Sequence, residues 1–228
     1  MRKTGTKEVD ALEHEIIAGL STLTRQDTQT IRNLRRELSN RLAKTSPELI
    51  VALALKLIRH SEFIPRFFAY ELIHHHRQAL QSLNAKSLTN LGQGIDNWAA
   101  VDTFASYLAG PAWREGQVSD ALIQRWAHSK DRWWRRAAVV STVALNNKAR
   151  GGRGDTNRTL MICEMLLADR DDMVIKALSW ALRELSKREP EPVRKFLRFH
   201  ENALAPRVAR EVTSKLQTGL KNPRPEPL

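Results

Sequence analysis

Apolar residues recur at helical spacing through most of the 228-residue chain. Near the N-terminus, Val9, Leu12, Ile16 and Leu20 are three or four positions apart, which places them on one face of a helix. Alternating patterns typical of strands are scarce, so the sequence predicts an all-α fold. The predicted helices span about residues 8–23, 31–42, 47–58, 64–75, 95–108, 118–127, 132–145, 159–167, 173–185, 192–199 and 206–216.

Local signals set several of these boundaries. Pro47 follows a serine and fits the first position of a helix that the serine caps. The dipeptide Gly110-Pro111 is expected to end the helix before it. We expect no helix in the polar stretch 83–94. Residues 139–143 have strand-like composition but lie inside a helical period, so we interpret them as helical.

The second half of the chain contains an internal repeat. The segment 131–137 reappears 40 positions later as 171–177, and each copy opens with Asp and carries a cation five residues on. This period is typical of HEAT-type helix pairs. We therefore predict a right-handed α-solenoid of HEAT-like helical repeats, forming a single domain over 1–220 with divergent N-terminal helices at 8–44. A Pro-rich tail at 221–228 is expected to be disordered. An ordinary helical bundle is the alternative fold.

Charge indicates a polyanionic partner. The net charge is +12 and the pI is near 10.3, and each phosphate that a Lys or Arg neutralises releases counterions. Charge alone would serve an anionic membrane surface equally well. Cys163 is the only cysteine, which excludes an intrachain disulfide and a Cys-based zinc site and favours a reduced environment. With no apolar run of membrane-spanning length, we expect a soluble, cytoplasmic protein.

Positive charge is concentrated between residues 124 and 158. Nine cations there face only Asp131 and Asp155, and three tryptophans lie in the same segment. Residues 148–154 resemble a flexible basic loop that could follow a phosphate backbone. Stacked helix pairs form a long concave surface, so we predict a basic concave face; a solvated charged surface is the ordinary alternative. The nine cations are Arg125, Lys130, Arg132, Arg135, Arg136, Lys148, Arg150, Arg153 and Arg158.

Three blocks give the chain a resemblance to a known family. The segments 98–102 (WAAVD), 134–138 (WRRAA) and 175–184 (IKALSWALRE) resemble signature blocks of the AlkD-like DNA alkylation repair family of HEAT-like-repeat DNA glycosylases. The resemblance covers about 46–216. It implies a cofactor-free, metal-free and monomeric hydrolase that excises N3- and N7-alkylated purines from duplex DNA, for base excision repair, without flipping the damaged base into a pocket.

The resemblance also implies roles for individual residues. The family's catalytic carboxylate corresponds to Asp102 and its two aromatic walls to Trp98 and Trp180. Its backbone-binding arginine corresponds to Arg136, and Arg183 matches a further basic position. We add to these DNA-binding residues the neighbouring cations Arg132, Arg135, Lys148, Arg150, Arg153 and Lys176.

The chemistry follows from the residue types and their spacing. Trp98 and Asp102 are four positions apart and share one helix face, and Trp180 and Arg183 are three apart on another helix. Glycoside hydrolysis ordinarily needs two carboxyl groups. An N3- or N7-alkylated purine already carries positive charge and leaves as a neutral base, so one carboxylate suffices. We expect Asp102 to stabilise the oxocarbenium-like sugar and position a water, and the indoles to attract the cationic nucleotide.

Purely structural interpretations of these residues stay open. A tryptophan in a helical protein is more often core than ligand, and a surface ion pair would explain Asp102. The chain could also be a non-catalytic HEAT-like protein that binds damaged or structured DNA, or a scaffold for an acidic protein. The run at 74–76 is three consecutive histidines, whose side chains point about 100° apart on a helix and chelate one ion poorly, so we expect no metal site.

Overall fold

The structure, a computed structural model, describes residues 2–25 and 27–222, and for residues 2–5 the backbone alone. Every regular element within these ranges is helical, which confirms the predicted all-α fold. The predicted Pro-rich tail lies, from residue 223 onward, outside the described residues. The chain divides into two compact units, Met1–Ile95 and Asp96–Leu228, which are described separately below.

The first unit packs its helices around a core of aliphatic and aromatic side chains. Ile50, Leu53 and Phe68 are fully buried there. The predicted start at Pro47 is confirmed, because the Ser46 hydroxyl accepts a hydrogen bond from the Leu49 amide. The helices of this unit are α1 (Arg2–Ser21), α2 (Thr28–Arg41), α3 (Pro47–Leu57), α4 (Phe63–His74), α5 (Arg77–Gln81) and α6 (Ala85–Leu91).

The prediction of no helix in 83–94 is wrong, because α6 lies within it. Asn84 caps this helix and forms a reciprocal capping box with Ser87, and Leu88 and Leu91 are fully buried. The helix has seven residues and two inward apolar positions, which is too short to produce a periodic signal. Its capping chemistry was the available sign.

The second unit arranges its helices in two layers. Helix α10 packs against the α7–α8 segment and α12, and α12 packs against α14, so these helices form one row. Helices α9 and α11 pack against α10 and against each other, and α13 packs against α12 and α14, as expected for helical repeats. The helices are α7 (Trp98–Phe104), α8 (Gly110–Arg114), α9 (Asp120–Ala127), α10 (Arg132–Asn146), α11 (Thr156–Met165), α12 (Asp172–Leu185), α13 (Pro190–Phe199) and α14 (Pro206–Thr218).

The predicted helix break at Gly110-Pro111 is also wrong. Helix α7 continues through a π-helical turn at Ala105–Ala109 directly into α8. The proline stands directly after the π-helical turn, where the regular hydrogen bonding of the helix is already interrupted. Gly110 is required by packing and not by a turn, since a β-carbon there would lie 2.5 Å from the Ala144 β-carbon. The strand-like segment 139–143 is helical, within α10, as predicted.

Candidate functional site

Asp102 and Arg136 form a bidentate ion pair between α7 and α10. Nε of Arg136 donates to Oδ1 of Asp102 at 2.9 Å, and Nη2 donates to Oδ2 at 2.8 Å. Nη1 donates to the main-chain carbonyl of Met173 at the start of α12. One guanidinium therefore links three neighbouring helices and fixes the orientation of the carboxylate.

Burial and positive charge oppose each other at the Asp102 carboxyl. Burial is the larger effect and raises its pKa above the ordinary value of 3.8. The hydrogen bonds and charge of Arg136, and the charge of Arg150, act in the opposite direction. The side chain of Asp102 is 18% exposed, so it is largely but not completely shielded from solvent.

Arg136 is almost completely buried, with 6% of the residue exposed. The sequence predicts that this residue binds the DNA backbone, and the structure adds a contact that the sequence did not predict. Three of its nitrogens already donate to Asp102 and Met173. Arg136 is thus placed to hold the carboxylate.

Trp98 stands one helical turn before Asp102. It is the first residue of α7, which Asn97 caps by accepting from the Ala100 amide at 2.9 Å. The indole is 60% exposed, and within the described part of the chain it makes no ring or cation–π contact. The structure therefore places an exposed indole one helical turn before Asp102 on α7.

Three aromatic rings pack α7 against α9 and α10. Phe104 of α7 packs edge-on against Trp134 of α10, with ring centroids 6.1 Å apart, and also contacts Trp126. Trp126 and Trp134 lie 4.9 Å apart. These contacts fix the helix that carries Trp98 and Asp102.

Trp180 and Arg183 lie on α12, two or more turns beyond Met173. Trp180 is half-buried, and the described residues give it no direct contact with Asp102. The Nε of Arg183 donates to the hydroxyl of Ser179 on the same helix at 3.2 Å and lies 4.0 Å from Glu211 of α14. Burial lowers the pKa of Arg183. The structure thus pairs Asp102 with Arg136. Arg183 instead contacts Ser179 and Glu211.

The basic loop at 148–154 is held by internal hydrogen bonds. Arg150 donates to the Ser106 hydroxyl at 2.5 Å and lies over the Tyr107 ring. Arg153 is 69% exposed and pairs with Glu115 at 3.2 Å. Lys148 is exposed and makes no ion pair with any described residue. Of the loop cations, Lys148 is the most available to an external anion.

The three remaining predicted DNA-binding cations differ in exposure. Arg135 is mostly buried and bonds to Asp169 at 2.6 Å and to two main-chain carbonyls. Arg132 and Lys176 are about half exposed and pair with Asp171 and Asp172. Arg135 therefore belongs to the packing between repeats, while the other two can exchange partners with solvent.

The contacts of Ser106 and Tyr107 were missed by the sequence reasoning. Ser106 lies four positions after Asp102 and donates to its main-chain carbonyl, a common role for serine inside a helix. The spacing of four residues could have indicated the hydrogen bond from Ser106 to Asp102.

Neither a metal cluster nor a membrane span is found in the part of the chain that the structure describes. Its His, Cys, Asp and Glu side chains form no group of three or more that could hold a metal ion. His76 of the histidine run instead caps α5. None of the described helices is long and apolar enough to cross a bilayer.

Comparisons with known proteins give a family match and one similar fold. The model of a family described as DNA alkylation repair enzyme matches residues 26–216. No curated protein matches the chain. The crystal structure of smu.31 from Streptococcus mutans UA159 is similar with a TM-score of 0.51 and 19% identity, over 75% of this chain and 88% of that one. At this identity the likeness shows the fold alone.

Proposed function

Because the chain belongs to the DNA alkylation repair enzyme family, we propose that it is a DNA N-glycosylase that releases N3- and N7-alkylated purines from duplex DNA. One observation carries the proposal. The partly exposed side chain of Asp102 is held by Arg136 and lies one helical turn after the exposed Trp98. The charged groups that act on this carboxyl are Arg136 and Arg150, and no second acid is among them.

A single carboxylate suits a cationic leaving group. Ordinary glycosides need an acid to protonate the departing oxygen, whereas a purine alkylated at N3 or N7 departs neutral when the glycosidic bond breaks. Positive charge then develops on the sugar, and Asp102 stabilises it and positions the attacking water. Arg136 leaves lone pairs free on both carboxylate oxygens, because each oxygen can accept more than one hydrogen bond.

The aromatic residues supply attraction for the charged nucleotide. An indole face contributes about 0.5–2 kcal/mol to binding a cation. Trp98 is exposed and is therefore available to contact the duplex. Recognition without base flipping is what the family resemblance implies. Trp180 supplies the second aromatic wall, from α12.

Exposed cations hold the DNA backbone. Lys148 has no competing carboxylate, and Arg132 and Lys176 can exchange theirs for phosphates. Arg150, Arg153, Arg183 and Arg135 add positive charge behind them, and Arg136 acts through Asp102. All of these residues lie in one chain between 98 and 183, so we propose that the protein acts as a monomer on chromosomal DNA in the cytoplasm, without cofactor or metal.

The charge of the leaving base gives the sharpest test of this proposal. Two duplexes would differ at one position only, where one carries 7-methylguanine and the other uracil. The free base and the abasic site formed from each would be quantified. We expect release of 7-methylguanine and not of uracil. Comparable release of uracil would contradict the mechanism. Binding without any release would leave a non-catalytic protein for damaged DNA, and no binding to duplex DNA would favour a scaffold for an acidic protein.

A further inference from the structure

We propose that Arg150 is a positioning residue for Asp102, reaching the carboxylate's helix from a loop that is held in place at both ends. The inference deepens the proposed function and rests on it for its catalytic meaning. The sequence assigns Arg150 to the DNA backbone. In the structure, Arg150 instead contacts other residues of the protein.

The loop that carries Arg150 is fixed by two arginines from other elements. Arg114 donates to the main-chain carbonyl of Arg150 at 2.8 Å and to that of Ala144 at 3.2 Å. Arg188 donates to the Gly152 carbonyl at 2.6 Å and to the Asn146 carbonyl at 2.7 Å. Such bonds from charged donors to carbonyls are strong. The backbone of Arg150 is thus set before any DNA arrives.

Close packing adds to this fixation. A β-carbon at Gly152 would lie 2.7 Å from the main chain of Asn146 and Asn147, so the loop lies directly on the end of α10. Gly151 and Gly154 have φ values of 77° and 96°, which side-chain-bearing residues rarely adopt. These glycines let the chain turn back so that Arg150 points at α7.

The side chain of Arg150 then contacts the turn that follows Asp102. Its Nη1 donates to the Ser106 hydroxyl at 2.5 Å, and its guanidinium lies 4.9 Å from the centre of the Tyr107 ring. Ser106 in turn donates to the main-chain carbonyl of Asp102. A continuous chain of hydrogen bonds therefore runs from Arg150 to the backbone of the catalytic carboxylate.

This contact falls on the irregular part of the helix. Ala105–Ala109 forms a π-helical turn, where the regular hydrogen bonding of the helix is interrupted; such turns often lie at functional sites. Arg150 clamps two successive residues of it. The clamp fixes the C-terminal side of Asp102, while Arg136 fixes its carboxylate.

Arg150 also supplies charge. Two positive charges act on the Asp102 carboxyl: Arg136 of α10 and Arg150 of the loop. Helix α12 contributes the Met173 carbonyl, which accepts a hydrogen bond from Arg136. The charge of Arg150 acts to lower the pKa of Asp102 against the effect of burial. Removing that charge should leave the carboxyl easier to protonate.

The test compares Arg150→Met and Arg150→Lys with a matched variant of the same loop. Arg153→Met is the control, because Arg153 is exposed and paired with Glu115. The titration of the Asp102 carboxyl would be followed by carbon-13 NMR, with the signal identified by its loss in Asp102→Asn. We expect the midpoint to move to higher pH in Arg150→Met, to return toward the wild-type value in Arg150→Lys, and to stay unchanged in Arg153→Met.

An unchanged midpoint in Arg150→Met would overturn the proposal. Should that variant fail to fold, Arg150→Gln offers the same test, since it keeps a donor for Ser106 without the charge. A pure phosphate contact would instead weaken DNA binding and leave the midpoint alone.

The rate of base release gives a second readout. With saturating protein and a 7-methylguanine duplex, the acid limb of the single-turnover rate should move to higher pH in Arg150→Met. The NMR readout does not depend on activity. A shifted midpoint with no base release by any form would therefore uphold the placement of Arg150 and reject the glycosylase.

Discussion

Removing the Arg136 guanidinium should destabilise the second unit strongly. The change Arg136→Met keeps much of the side-chain volume and deletes the two hydrogen bonds of 2.9 and 2.8 Å to Asp102. The paired side chains are only 7% and 18% exposed. Exposed ion pairs contribute about 0.2–1 kcal/mol, whereas deleting one partner of a buried pair costs about 3–5 kcal/mol. The low exposure places this pair near the buried end, so we expect a loss of about 3 kcal/mol in the free energy of unfolding.

Urea unfolding followed by tryptophan fluorescence is a suitable assay. All six tryptophans lie between Trp98 and Trp180, so the signal comes from the second unit alone. Arg132→Met is the matched control on the same helix, since Arg132 is 51% exposed and 3.5 Å from Asp171. We expect the control to lose less than about 1 kcal/mol.

Acid should reduce the difference between the two variants. Burial already raises the pKa of Asp102, and loss of Arg136 raises it further, so the unpaired carboxyl takes up a proton as the pH falls and its burial becomes less costly. Equal losses for Arg136→Met and Arg132→Met at neutral pH would refute the reasoning, because the pair would then behave as a surface contact.

Three further predictions concern other parts of the second unit. Gly110→Ala should lose about 1–3 kcal/mol of unfolding free energy in the same assay, because its β-carbon would lie 2.5 Å from that of Ala144; an unchanged midpoint would contradict this. Cys163 is fully buried, which raises its pKa to about 12, so a thiol reagent at pH 8 should modify it only in urea, and prompt labelling of the folded protein would be inconsistent with that. Lys148→Ala should weaken binding to duplex DNA and reduce the slope of log affinity against log salt by about one; identical slopes would exclude a phosphate contact.

The helices were predictable wherever they were long and periodic. Helix α12 has a buried face that recurs every three or four residues, at Val174, Ala177, Ala181 and Leu185. The cap before Pro47 is also visible in the sequence. Helix α6 was missed because its seven residues are too few to show a period. The continuation through Gly110 was missed because it depends on tertiary packing. A glycine that allows close approach of two helices looks, in sequence, like a glycine that ends one.

Within the candidate site, local relations were predictable and distant pairings were not. Trp98 and Asp102 share a face because of their spacing alone. The pairing of Asp102 with Arg136 joins residues 34 positions apart, and nothing in the sequence states which carboxylate a given arginine will meet. The resemblance identified both residues but assigned Arg136 to phosphate. The contact of Arg150 with Ser106 depends on how the loop at 148–154 folds.

The single-turnover rate of 7-methylguanine release by wild type and Asp102→Asn tests the central claim most directly. Asp96→Asn is the control, since Asp96 is exposed and lies two residues before Trp98. With DNA saturated by protein, we expect Asp102→Asn to be slower by about 100-fold or more, with DNA affinity retained and Asp96→Asn at the wild-type rate. Release by Asp102→Asn at the wild-type rate would contradict the account.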